Sequence, residues 1–162
     1  MTTRLVLVYF YRGEVCFPGG KKNKDETVQQ TALREAYEEI GLDPNAVDIL
    51  GILPGAPDRT MKSLTVGVVG YLGALEDLNL EINPDEVAQV FTVPIETLVS
   101  DTIAKRQFFR LDKKEPGKND YEMPVYCTEP RVWGFTAIQT NVLLSIVVPD
   151  HVELMIPRFL NK

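Results

Sequence analysis

Glu35, Glu38 and Glu39 stand beside Arg34 near the end of the stretch from Thr27 to Ile40, and acidic residues at that spacing can do chemistry together. The stretch reads as a helix over 27–40. At about 3.6 residues per turn, Leu33, Ala36, Tyr37 and Ile40 fall on one side and Arg34, Glu35, Glu38 and Glu39 on the other. Glu35 and Glu39 are one turn apart, with Glu38 beside them, so the three carboxylates are expected to converge on one patch. Such a patch works against its own helix. Like charges four residues apart cost roughly 0.2–0.5 kcal/mol per pair, and Glu38 and Glu39 sit in the last turn, where the dipole disfavours anions. A hard cation such as Mg2+ resolves the conflict, because it takes carboxylate oxygens and neutralises the cluster. Taken alone, three glutamates also fit an ordinary solvated helix face.

Other chemistries find little material. The chain holds one histidine, His151, and two cysteines, Cys16 and Cys127. There is no C-x-x-C pair for zinc, and His151 lies in no nucleophile context. Two cysteines make no disulfide framework and read as reduced thiols of an intracellular protein. The net charge of −6 argues against a partner that is nucleic acid or an anionic membrane. It leaves room for a phosphate ligand, because bound metal inverts the local sign. The longest apolar runs, such as Val142 to Pro149, fall short of a bilayer crossing. Met1 to Tyr11 is apolar but lacks a signal-peptide cleavage region, and Arg158 to Lys162 is not a peroxisomal signal of the Ser-Lys-Leu type. Cytoplasm, mitochondrion and peroxisome all stay open, as does monomer against homodimer.

The elements that must position the carboxylates follow from local pattern. At 162 residues the length fits one domain, 1–162, and 44% apolar residues suffice for a core. Leu5 to Tyr11 reads as a strand, and a second short extended piece ends at Pro18-Gly19-Gly20. A polar loop, Lys21 to Asp25, leads into the helix, with Asp25 and Thr27 as candidate caps and Gly41 as its stop. Extended segments follow at Val47 to Leu53, at Leu64 to Leu75 with glycines interrupting it, and at Val87 to Val93. Pro94 to Ser100 reads as a short helix. Phe108 to Leu111 and Met123 to Cys127 read as paired strands flanking a charged loop, Asp112 to Glu122. Trp133 to Val148 is a second long helix, ended by Pro149. Helices interspersed among strands give the fold class α/β, layered around a mixed sheet.

The stretch Gly20 to Leu42 resembles the Nudix box, G-x5-E-x7-R-E-U-x-E-E-x-G-U. Gly20, Glu26, Arg34, Glu35, Glu38, Glu39 and Gly41 fill the fixed positions, with Ala36 and Leu42 at the apolar ones. At about 7% per residue, seven coincidences have a chance of order 10^-8 per starting point. The resemblance implies an α/β/α sandwich with a central mixed sheet and a metal-dependent hydrolase of nucleoside diphosphate derivatives. It implies Glu35 and Glu39 as ligands of Mg2+ or Mn2+, and Glu38 as ligand of a second metal or an aid to water activation. Arg34 is expected to pair with Glu26 or Glu38 and orient the carboxylates. Gly19 and Gly20 would bring the backbone close to the metal. Glu86, in the segment Asn83 to Leu98, is a further candidate for the metal site or as a base.

The flanks narrow the expected substrate. Gly13 to Gly20 is similar to G-x3-F-P-G-G, the second half of the signature of coenzyme A diphosphatases, and Arg131 to Ala137 resembles the later part of that subfamily. Such enzymes split CoA and its thioesters into 3′,5′-ADP and 4′-phosphopantetheine. The front half, L-L-T-x-R-[SA]-x3-R-x3-G, is altered: Thr2 and Arg4 fall in register, while Leu5 replaces the small residue and Tyr9 the second arginine. Nothing precedes Met1, so most of the usual first strand is expected to be absent and the N-terminus reads as shortened or alternative. Arg12, adjacent to the lost arginine, could substitute for it, and Lys21, Lys22 and Lys24 could contact phosphates. The competing readings are another Nudix substrate, such as ADP-ribose or a dinucleoside polyphosphate, and a catalytically silent ligand sensor.

Overall fold

The computed structural model of the chain describes residues 3–11, 13–57, 63–110 and 120–155. Its first β-branched and aromatic run forms strand β1 (Arg4–Phe10). Leu7 and Val8 are both fully buried. Successive side chains of a strand point to opposite faces, so β1 is covered on both. A turn at Gly13, which has φ +82°, reverses the chain into β2 (Val15–Cys16). The two strands pair antiparallel through Val8 opposite Cys16 and Tyr9 opposite Val15.

Helix α1 (Val28–Ile40) starts at Thr27 rather than Asp25. The Thr27 hydroxyl accepts from the Gln30 N–H while the Gln30 side chain accepts from the Thr27 N–H, a reciprocal cap. Gly41 ends the helix with φ +67°, a left-handed turn natural to glycine. The remaining elements are β3 (Asp48–Ile52), β4 (Ala56–Pro57), β5 (Leu64–Thr65), β6 (Val68–Tyr71), β7 (Val87–Pro94), α2 (Ile95–Leu98), β8 (Ala104–Arg110), β9 (Asp120–Tyr126) and α3 (Gly134–Val147). Single turns of tighter helix lie at Pro44–Ala46 and Leu75–Asp77.

The chain divides into two compact units. In the unit Val6–Thr92 the sheet order is β2-β1-β7, and β3-β6 and β4-β5 form separate antiparallel pairs. The core here joins Val8, Ala36, Ile40, Leu42 and Val87, so one face of α1 packs on the strands that flank the site. The other unit, Met1–Leu5 with Val93–Lys162, contains the antiparallel hairpin β8-β9 and helix α3, which packs on β9. Asn141 on α3 donates to the Glu153 carbonyl and accepts from the Met155 N–H, tying the 153–155 segment to the helix.

Helices are interspersed among strands, as expected for an α/β protein. Among the described residues the strands are spread over one three-stranded and three two-stranded sheets rather than one continuous sheet. The expected long strand from Leu64 breaks into β5, β6 and a helical turn, in the stretch carrying Gly67, Gly70 and Gly73. Most of the expected 112–122 loop lies outside the described residues.

Candidate active site

The loop before α1 is built around Glu26. Its carboxylate accepts from the Asn23 N–H at 3.0 Å, from the Asn23 side-chain amide at 3.1 Å, and from the Thr31 hydroxyl at 2.9 Å. Arg34 adds Nε at 2.7 Å. These donors, Arg34 foremost, hold the Glu26 carboxyl well below the usual range, so it stays ionised. Glu26 thereby anchors the guanidinium, whose other nitrogens reach Glu35 Oε1 at 2.9 Å, Glu38 Oε2 at 2.9 Å and the Lys21 carbonyl at 3.1 Å. Arg34 was expected to pair with Glu26 or Glu38. It pairs with both, and with Glu35 as well, which locks it in its charged form.

Glu39 is treated differently by the fold. It is 4% exposed, and among the described residues it has no ion-pair partner. The Gly19 N–H donates to its Oε2 at 3.3 Å. Burial pushes its carboxyl up to about 7 against that bond, and the charges of Glu35, Glu86 and Glu38 push the same way. The helical wheel assigned Glu39 to the polar side and Tyr37 to the apolar one. The structure corrects both, with Tyr37 59% exposed. Each lies at the border of its face, and Glu39 falls on the core side of that border, near Ala36.

An added Cβ at Gly20 would meet the Glu35 carboxylate, which would have to move to admit it. Glu35 is thus pressed onto the backbone of the Gly19-Gly20 turn, close to where that turn receives Glu39. Glu86 lies outside α1, yet its charge reaches Glu39. The four carboxylates expected from the sequence therefore share one electrostatic neighbourhood, but they do not converge as one patch. Arg34 draws Glu35 and Glu38 to itself while Glu39 turns under Gly19. Among the described residues no group of three or more acidic, histidine or cysteine side chains is gathered as a ready metal cage.

The donor set nonetheless fits a hard divalent cation. Among the described residues Glu39 is buried with no ion-pair partner while the charges of Glu35, Glu86 and Glu38 act on it, an arrangement that costs stability until a cation joins it. The phosphate-contact candidates fare unevenly. Lys22 is tied back to the carbonyl of Glu26 at 2.6 Å and to that of Asn23 at 3.2 Å, the latter shared with the Glu26 N–H. Lys21 and Lys24 are exposed. Arg12 lies outside the described residues. Sequence reasoning missed Thr31 and Asn83. Nothing in the pattern marked Thr31, whereas Asn83-Pro84-Asp85 is a turn signature that could have drawn attention.

A NUDIX domain profile matches residues 2–112 of the chain. Nudix hydrolase 3 of Caenorhabditis elegans is 36% identical over 160 residues, covering 93% of this chain and 67% of the worm protein. The mitochondrial coenzyme A diphosphatase NUDT8 of Mus musculus is 36% identical over 149 residues, covering 91% of this chain and 69% of its own. Its Homo sapiens counterpart is 35% identical over 142 residues, with 86% and 58% covered. No helix among the described residues is long and apolar enough to cross a membrane.

Proposed function

The chain belongs to the NUDIX family, and from that premise we propose that it hydrolyses the diphosphate bond of coenzyme A or an acyl-CoA, releasing 3′,5′-ADP and 4′-phosphopantetheine or its acylated form. The observation that carries the reading is Glu39, buried under the Gly19 N–H without an ion-pair partner among the described residues and repelled by Glu35, Glu86 and Glu38. The coenzyme A diphosphatase activity for which the NUDT8 relatives are named supports CoA as the substrate. The chain acts on this small molecule as one domain, 1–162, inside the cell. The mitochondrial assignment of those relatives favours that compartment.

Nudix hydrolases depend on a divalent metal, and for this chain Mg2+ or Mn2+ is the proposal. When bound, the cation screens the diphosphate oxygens and lowers the cost of charge on water and leaving phosphate. Glu35 and Glu39 are its proposed ligands, and Glu38 serves a second cation or aids water activation. Glu39, whose carboxyl is raised first by burial and then by its neighbours' charges, would be ionised in holding the cation. Arg34 keeps Glu35 and Glu38 within reach while Glu26 holds Arg34 in place. Glu86 stands as an additional carboxylate at the same site. Lys21 and Arg12 are proposed phosphate contacts. Lys22 would have to leave its two carbonyls to serve.

The test is a substrate panel with product identification by mass spectrometry. The expected result is 3′,5′-ADP from CoA in the presence of Mg2+ or Mn2+. Intact CoA beside cleaved ADP-ribose or dinucleoside polyphosphate would replace the substrate and keep the family chemistry.

A further inference from the structure

The end of α1 raises a question that the box residues do not answer: how Glu86, far along the chain, comes near enough for its charge to act on Glu39. A helix leaves its last carbonyls without internal partners. Here two of them are taken by the 81–83 segment. The Glu81 N–H donates to the Ile40 carbonyl at 3.0 Å, and the Asn83 N–H donates to the carbonyl of Glu39 at 2.9 Å. Gly41 makes this approach feasible, because a Cβ there would lie 2.7 Å from the Glu81 nitrogen.

Asn83 then folds the next three residues. Its side-chain oxygen accepts from the Asp85 N–H at 3.1 Å, closing a turn through Pro84. Its carbonyl accepts from the Glu86 N–H at 3.3 Å and the Val87 N–H at 3.0 Å. Val87 is 1% exposed and packs in the same cluster as Ala36 and Ile40. Glu86 is therefore held on one side by a turn bonded to the Glu39 peptide, and on the other by a buried residue packed with α1.

We infer that Asn83 is the positioning residue for Glu86: it fastens the 83–86 turn to the backbone of Glu39 and so fixes where the Glu86 carboxylate stands beside the cation site. The inference rests on the diphosphatase reading only in giving that site a cation. The Asn83 side chain is the part a substitution can remove, since its backbone bonds survive in any variant. Without the side-chain acceptor the Asp85 N–H is released and the turn loosens. A displacement of about 1 Å at a reacting centre can cost about 100-fold.

The experiment is a double-substitution cycle on the full chain, read first by Mn2+ affinity without substrate, from the free-Mn2+ electron paramagnetic resonance signal, and then by CoA turnover. Asn83→Ala is expected to weaken Mn2+ binding about 10-fold, the scale of losing a residue that supports a metal site. Asn83→Asp, which keeps the acceptor, is expected to stay within about threefold of the parent. In a Glu86→Gln background Asn83→Ala should add nothing, because coupled groups are not additive. The inference is overturned if Asn83→Ala binds Mn2+ like the parent, if its effect persists in full without Glu86, or if Asn83→Asp fails equally while melting like the parent. Should the Mn2+ pattern hold while CoA stays intact in every variant, the positioning role stands and only the substrate is wrong.

Discussion

Replacing Glu39 by glutamine should make the metal-free protein more stable at alkaline pH while removing its activity. The carboxyl of Glu39 is raised from an ordinary 4.5 to about 7, first by burial and then by Glu35, Glu86 and Glu38. At about 1.4 kcal/mol per pH unit, the interval from 4.5 to about 7 amounts to about 3 kcal/mol. A folded-state pKa above the unfolded one means that the native protein binds the extra proton. The stabilisation from that proton is fully present below about pH 4.5 and is lost as pH rises through about 7. Glutamine keeps an acceptor for the Gly19 N–H and never ionises. With metal chelated, Glu39→Gln should therefore exceed the parent by about 3 kcal/mol at pH 8.5, with the gap nearly closed at pH 4.5. For a chain of this length that is roughly 6–12 °C in Tm. Urea unfolding of both proteins across that range, with a chelator present, measures the difference directly. Added Mg2+ should stabilise the parent more than the variant, and turnover of the variant should fall by about two orders of magnitude. A stability difference that does not change with pH would refute the argument that Glu39 is buried uncompensated.

Three other substitutions probe the supports of the site. Gly41→Ala forces a side chain into a left-handed conformation against the Glu81 backbone, and should cost about 1–3 kcal/mol by chemical denaturation. Gly20→Ala collides only with the Glu35 carboxylate, a movable side-chain end. It should melt within a degree or two of the parent yet lose about 10-fold or more in turnover, by steady-state kinetics. Arg34→Lys keeps the charge but not the fork that spans Glu26, Glu35 and Glu38. Mg2+ titration of its activity should show an affinity weakened about 10-fold.

How legible the site was depended on the kind of force that placed each residue. Helix α1 and its stop at Gly41 follow from spacing within one element, and the pairing of Arg34 with Glu26 and Glu38 follows from the resemblance of 20–42 to the Nudix box. Strand β1 likewise lies within a residue of its expected bounds. Tyr37 and Glu39 were placed on the wrong faces because a wheel cannot say how far the core wraps around a helix border. Lys22 read as a free cation because nothing local reveals that the turn at 23–26 brings the carbonyls of Asn23 and Glu26 within reach of its ammonium. Strand β8 reaches back to Ala104 although Ala-Lys-Arg-Gln is a poor strand sequence. Pairing with β9 recruits it, a tertiary effect that overrides propensity. The Asn83 turn went unread although Asn-Pro-Asp is a local turn signature, and its partnership with α1 has no local signal, since its bond to Glu39 spans more than forty positions of chain.

The central claim is that the carboxylates at the end of α1 exchange Arg34 and burial for a divalent cation. The most direct measurement is anomalous diffraction from crystals of the chain soaked in Mn2+. The account predicts a manganese peak at bonding distance from Glu35 and Glu39, with Glu35 drawn off the guanidinium. A peak elsewhere, or Glu35 still paired with Arg34 in crystals saturated with Mn2+, would contradict it.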